Sequence, residues 1–406
     1  MQGDSKKHRV NNHCLTACMV LASGAPMAVS AQSNVTLYGS VDAAMVYSSN
    51  QAGKSNVYMN SGNLNASKFG FRGIEDLGNG LTAIFTLEQG FNIDTGVQSD
   101  TSKMFNRQSF IGLSDSSYGT LTAGRQYTPY YLYVGGIGSA DAVTGAIGAH
   151  PGDHDGLDTT IRVNNTVMYA TPVIAGFQGS ASYGFGENAG ETKAGNTMSA
   201  ALRYADNAIG AAIGIVKLNN GDANGGQPWD QNRTDSFATS GSFALSAINS
   251  GYATAKSVQM IAAAGRYTLP NSLAFGLNFS NVQMRPGMAS LFAHKASFNT
   301  MGLTTSYKPA PAISLAAGYT YTRASAANGI SDPARYQQIS LKQTYDLSKL
   351  TSFYFLQAYQ RSQGQTLDKD GVTPIAAMPV VGDLSSNPAS SSGKQFAAVI
   401  GLRHHF

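Results

Sequence analysis

The sequence predicts an all-β chain, a transmembrane antiparallel β-barrel of about 16 strands. Three observations predict it. Apolar residues recur at every second position in run after run between Val35 and Phe406. The spacers between the runs come in two sizes, tight turns and long polar stretches. No stretch after the N-terminal region supplies the ~18–20 consecutive apolar residues that a membrane-crossing helix needs.

Composition bounds the alternatives. Of 406 residues, 12% are charged, about half the share usual in soluble domains, and 45 are glycine without a collagen-like period of three. The formal charge of +4 includes Lys6, Lys7 and Arg9 against Asp4. Removing these from the 27 basic and 23 acidic residues leaves 24 and 22, a net +2. Bulk charge therefore gives no support for nucleic-acid binding.

Residues 1–31 read as an export signal. Lys6, Lys7, His8 and Arg9 form a basic start, Cys14 to Ala28 is moderately apolar, and Val29-Ser30-Ala31 offers small residues for cleavage before Gln32. Both cysteines, Cys14 and Cys18, fall inside this leader. The remainder, 32–406, is uniform in composition and reads as one domain.

The first run sets the pattern. Val35, Leu37, Val41, Ala43, Met45 and Tyr47 share one parity, and Thr36, Tyr38, Ser40 and Asp42 take the other. Side chains of a strand alternate faces, so one face is apolar and the other polar. Similar runs lie near 65–73, 81–91, 105–113, 119–125, 164–170, 175–185, 197–205 and 208–218. They continue near 257–267, 272–283, 296–307, 312–323, 336–345, 352–361 and 395–406, with ambiguity in the Ala-rich stretches 197–218 and 257–267.

Tight turns include Glu75-Asp76-Leu77-Gly78-Asn79-Gly80, Asp115-Ser116-Ser117-Tyr118-Gly119, Pro270-Asn271 and Asp346-Leu347-Ser348-Lys349. The long spacers are 126–161, 219–256, 324–335 and 362–394. Short turns at one end and long loops at the other suit a closed wall in lipid, where only closure satisfies every backbone group. A soluble sandwich, solenoid or propeller also makes many short strands. Charges in mid-strand (Lys68, Arg72, Glu88, Arg203, Lys342) and aromatics at strand ends (Tyr183, Phe185, Tyr319, Tyr321, Tyr345, Tyr359) favour an apolar outside and a wet inside instead. No fixed repeat of 20–50 residues is visible, which counts against solenoids and propellers.

The last run, Phe396, Ala398, Ile400, Leu402, His404 and Phe406, ends on an aromatic residue. It resembles the C-terminal strand by which outer-membrane barrels are recognised by their assembly machinery, making Phe406 a candidate assembly signal. Other motifs are Val35-Thr36-Leu37-Tyr38-Gly39, Ser67-Lys68-Phe69-Gly70-Phe71-Arg72-Gly73 with Glu75-Asp76-Leu77-Gly78, and Asn106-Arg107-Gln108-Ser109-Phe110-Ile111-Gly112-Leu113. Tyr118-Gly119-Thr120, Gly124-Arg125-Gln126-Tyr127, Tyr345-X-Leu347-Ser348-Lys349 and Gly401-Leu402-Arg403-His404-His405-Phe406 follow in order. In order and spacing the set resembles the trimeric general diffusion porins of Gram-negative bacteria, especially their β-proteobacterial branch.

The resemblance implies 16 strands per barrel, three barrels per assembly, and a long third loop, here 126–161, folded into the pore. It also implies a basic wall at Lys68, Arg125 and Arg162, with Arg72 and Arg107 as further candidates. Asp141, Asp153, Asp155 and Asp158 of the loop would oppose them. Opposed charges across a narrow pore make a transverse field that orients water and polar solutes. Lys68 stands where this branch more often has Arg, and the loop lacks the Pro-Glu-Phe-Gly-Gly run of enteric relatives. Parity raises a difficulty at Arg125, because Leu121 and Ala123 share it yet should face lipid; a bulge at Gly124 would resolve it.

Enzymatic patterns are poor. His150-Pro151-Gly152-Asp153-His154-Asp155 is the only His/Asp cluster, and Pro151 and Gly152 disfavour a helical metal pair. There is no Gly-X-Ser-X-Gly elbow and no phosphate-binding Lys loop. Trp229 reads as a loop-packing residue. The expected function is a water-filled outer-membrane channel for passive diffusion of small hydrophilic solutes and ions. No cofactor or metal is expected, and the partners would be lipid, two further copies and the assembly machinery. The alternatives are a substrate-specific channel and, further off, a barrel enzyme.

Overall fold

The computed structural model describes residues 34–138, 140–158, 161–229, 245–383 and 388–406, with the side chains of 138, 140 and 141 left aside. The leader reading of 1–31 lies outside the described residues. Seventeen strand segments form one antiparallel sheet, and the sheet closes on itself. The first strand, Asn34–Gln51, pairs on one side with the last, Lys394–His405, from Ser40↔His405 to Ser48↔Ala397. On its other side it pairs first with Lys68–Gly78 and then with Lys54–Ser61. These two segments are one wall strand in two pieces, so the wall has 16 strands.

Closure is tight where the first and last described strands meet. The Gly39 N–H donates to the Phe406 carbonyl at 2.9 Å, and the Phe406 N–H donates to the Gly39 carbonyl at 3.1 Å. A Cβ at position 39 would run into the Phe406 ring, so glycine is required for this approach.

The tight turns are built by side chains that the sequence displays. Asp115 Oδ1 accepts the N–H groups of Ser117 (2.7 Å) and Tyr118 (3.0 Å). Asp206 Oδ1 does the same for Ala208 (2.8 Å) and Ile209 (2.7 Å), and Ser348 Oγ for Leu350 and Thr351. A short acceptor reaching its own backbone two or three residues on fixes a reversal without a longer loop.

The outward parity is apolar and uncovered: Val35, Leu37, Met45, Ile111, Leu121, Ile213, Leu277, Leu303, Ile339 and Ile400 are all exposed. The inward neighbours Asp42, Thr122, Ser280, Thr300, Ser340 and Gln360 are buried. A soluble sheet buries its apolar face; this one presents it to the surroundings, as a wall in hydrocarbon must. Among the described residues no helix is long and apolar enough to cross a membrane.

Two features differ from the sequence reading. The segment Lys54–Ser61 carries Lys54, Asn56, Tyr58 and Asn60 at its inward positions and gives little alternation signal, yet Val57 and Met59 face outward. The interior is also not uniformly wet. On Ile209–Asn219, Ser257–Thr268, Ala274–Arg285 and Ala296–Ala310 the inward residues Val216, Leu218, Val258, Met260, Met284 and Phe298 are fully buried. They pack against Tyr130, Val134, Leu157, Ile161, Ile248 and Tyr252 from the long connections. On Ile209–Asn219 and Ser257–Thr268 both faces are largely apolar or small for that reason, which is why the alternation there is ambiguous.

Candidate pore constriction

The connection that follows strand Gly119–Tyr127 runs from Thr128 to Ile161 and packs on inward-facing residues of the wall from Thr197–Ala205 round to Arg335–Asp346. The Tyr130 N–H donates to Ser199 Oγ (3.1 Å), Thr144 Oγ1 to Ser340 Oγ (2.8 Å), and Gln338 Nε2 to the Ala149 carbonyl (2.9 Å). Ser280 Oγ donates to Asp155 Oδ2 (2.5 Å), and His154 Nε2 lies 3.3 Å from Thr300 Oγ1. Main-chain bonds add the Ala146 N–H to the Asn63 carbonyl (2.8 Å) and the Gly152 N–H to the Gly382 carbonyl (2.9 Å). Burying an Ile, Leu or Phe adds roughly 1.5–3 kcal/mol each, so the apolar contacts of Ile147, Leu157 and Ile161 fasten this loop as firmly as its hydrogen bonds.

Beside the loop lies a polar cavity of about 980 Å³. Lys68, Arg72, Arg107, Arg125 and Arg162 all line it, as does Asp158. Asp153 and Asp155 do not: both are buried within the loop, Asp155 against His150 Nδ1 at 2.5 Å, and Asp153 Oδ1 accepts the Asp158 N–H at 2.9 Å. The side chain of Asp141 lies outside the described residues. Burial opposes ionisation of Asp155, but the neighbouring His150 and the Ser280 hydroxyl outweigh it and hold the carboxyl well below the usual range. Burial, with His150 nearby, pushes the His154 imidazole down against the pull of Asp155.

The cations differ in how they are held. Arg125 Nε donates to the Asn106 carbonyl (2.7 Å) and Nη1 to Asn164 Oδ1 (2.6 Å). Arg107 Nε donates to Glu88 Oε1 at 2.9 Å, and Lys68 Nζ lies 3.6 Å from Glu88 Oε2, which also accepts the Tyr38 hydroxyl at 3.0 Å. Arg72 is exposed to the lumen, its guanidinium 4.1 Å over the Tyr38 ring, and Arg162 sits 5.3 Å over Tyr127. Charges at 4 Å interact with about 4 kcal/mol at an effective dielectric of ~20 and about 1 kcal/mol in water. Buried Glu88 therefore restrains Arg107 and Lys68, while Arg72 keeps its field in the cavity.

Arg125 reaches the interior by a local break. Gly124 has φ +132°, and the pairing with Arg162–Ala170 shifts register between Gly124 and Gln126, where Asn164 and Asn165 oppose Arg125. Leu121 and Ala123 stay outward, and Arg125, Gln126 and Tyr127 are buried. The extra residue belongs to the partner strand, at Asn164-Asn165, and with the Gly124 backbone it turns the chain locally, as a bulge does.

Sequence reasoning left out Arg403 and Lys342, which line the same cavity, and Asp94, Asp100 and Asp383. Arg403 and Lys342 occupy the polar parity of their strands, so the signal was present. With Glu88 and Asp158, the lining holds seven cations and five carboxylates, a formal +2. Among the described residues no group of three or more His, Cys, Asp or Glu side chains is placed to hold a metal.

Comparison with known proteins follows the same line. A family model described as Gram-negative porin matches residues 15–365. An outer membrane porin protein of Bordetella pertussis is 34% identical over 224 residues, covering 49% of this chain and 58% of the relative. Outer membrane porin protein 32 of Delftia acidovorans is 31% identical over 215 residues, covering 50% and 58%. The chain thus spans under two thirds of the length of these curated relatives. Among solved structures, the anion-selective porin from Comamonas acidovorans superposes with a TM-score of 0.65 at 21% identity, over 92% of this chain and all of that one.

Proposed function

The chain belongs to the Gram-negative porin family, and on that premise we propose that it forms a water-filled channel in the outer membrane for passive diffusion of small hydrophilic solutes and ions. The observation that carries this reading is a polar cavity, lined by charges, inside a closed barrel whose outer face is apolar. Transport of this kind needs no chemical step and no cofactor. Width sieves the solute, and the field between the wall cations and Asp158 favours polar molecules that can replace ordered water.

The excess of seven cations over five carboxylates argues for a preference for anions. One solved neighbour carries the name anion-selective porin. The acidic side of the field is narrower than a four-aspartate loop would make it, because Asp153 and Asp155 are occupied inside the loop. We read the assembly as three barrels, with Phe406 as the signal for insertion.

Purified protein in a planar bilayer tests this. Stepwise currents, grouped in threes, and a reversal potential of anionic sign in a salt gradient are expected; no current at all would overturn the reading. Deleting Phe406 should lower the amount of folded barrel in the outer membrane, measured by resistance to unfolding in detergent at room temperature.

A further inference from the structure

The second wall strand is broken at residues 62–67, and the break enters the lumen: Gly62, Leu64, Asn65, Ala66 and Ser67 line the cavity and Asn63 is buried. What holds this segment converges on one residue of the first strand. Asp42 Oδ2 accepts the N–H groups of Leu64 (2.9 Å) and Asn65 (2.8 Å), and Oδ1 accepts the Tyr354 hydroxyl. The Asp42 carbonyl accepts the Gly62 N–H at 3.0 Å, and the Asp42 N–H donates to Ser67 Oγ at 3.0 Å. A buried carboxylate is costly unless its lone pairs are satisfied. Ser40 and Ser48, inward on the same strand, occupy their places without one.

The segment in turn touches both sides of the constriction. The Asn63 carbonyl accepts the N–H of Ala146, a cavity-lining residue of the 128–161 loop, at 2.8 Å. Asn65 Oδ1 accepts Arg403 Nη1 at 2.7 Å. We propose that residues 62–67 are a fixed inner lip of the constriction, and that Asp42 is the positioning residue that sets its place. Through Asn63 it fixes the tip of the loop, and through Asn65 it aims Arg403 into the cavity. The inference rests on the diffusion reading above, and deepens it.

The test compares Asp42→Ala, Asp42→Asn and Tyr354→Phe with the natural chain in planar bilayers, alongside their heat stability. Asp42→Ala frees the lip, so single-channel conductance should rise by roughly 1.5- to 2-fold as the narrowest point relaxes, with added current noise and a shifted reversal potential. Asp42→Asn keeps one acceptor oxygen and should fall between. Tyr354→Phe leaves both backbone bonds and should conduct like the natural chain. A merely structural loss would lower heat stability without being repaired by refastening the lip. In the Asp42→Ala background, Asn63→Cys with Ala146→Cys, oxidised, should restore quiet natural conductance, and reduction should undo it.

Natural conductance, noise and reversal potential in Asp42→Ala would overturn the lip. Should that variant not insert, an Asp42→Ser channel identical to the natural one, its side chain too short to carry the carboxylate's oxygen to both amides, would do the same. Absence of current from the natural chain would instead remove the diffusion reading itself.

Discussion

One barrel contains two interiors. Beside Leu81–Gly90, Gly119–Tyr127 and Arg162–Ala170 the wall brings Glu88, Arg125 and Arg162 to a cavity; across Ile209–Asn219 to Ala296–Ala310 the inward parity mixes small and polar residues such as Ser280 and Thr300 with Val, Leu, Met and Phe packed against loops. The strands on both sides expose the same apolar outer face. The difference teaches that the outward parity answers to the surroundings of the whole barrel, whereas the inward parity answers to what is placed over it. Part of the lumen is filled as a core, and that core anchors the 128–161 loop that narrows the rest.

Substitutions can sharpen or break that contrast. The largest effect should come from the packed side: Phe298→Ala, under His154 and Tyr252, should cost about 3–5 kcal/mol by thermal unfolding in detergent. Its reversal potential should change little unless the loop comes loose. A stability loss below ~1 kcal/mol, the range of exposed surface sites, would deny that this half is a core. Next, Arg125→Ala should lose about 1–3 kcal/mol, because it strips the Asn106 carbonyl and Asn164 of their donor, and should also move selectivity toward cations.

Arg162→Ala should show the opposite balance. Stability should shift by no more than ~0.5 kcal/mol while the cation/anion permeability ratio rises; an unmoved reversal potential in a salt gradient would count against the wall field. The smallest effect concerns pH. The His154 imidazole is pushed down by burial, so the folded chain resists a proton that the unfolded chain takes up near pH ~6.5. Stability should hold above that value and decline as pH falls below it, until the folded imidazole also titrates. His154→Gln should flatten the decline between pH 7.5 and 5.5. Asp155, held low, stays ionised throughout that window and contributes no slope.

Much of this was legible in the amino-acid order, where a local rule sufficed. Alternation marked the outer face, Asp115 marked its turn, and Gly124 marked the irregularity beside Arg125, although the extra residue sits opposite, at Asn164-Asn165. What escaped depends on distant partners. Of Lys54–Ser61 only Asn60 and Ser61 reach the cavity, and the break at 62–67 exists because Asp42, some 20 residues away in sequence, supplies its acceptors. Asp155 carries no local sign that Ser280, 125 residues on, completes its set of partners. Charge alone says that a carboxylate is present, not which side of a loop it serves.

The meeting of Gly39 with Phe406 has a topological consequence. A ring of paired strands has no privileged starting point, so the seam between Asn34–Gln51 and Lys394–His405 is chemically one hairpin lacking its bend. Joining position 34 to position 406 through a short linker, in a form without residues 1–33, and severing the backbone at Asp206-Asn207-Ala208 instead should yield a circular permutant with the same cylinder.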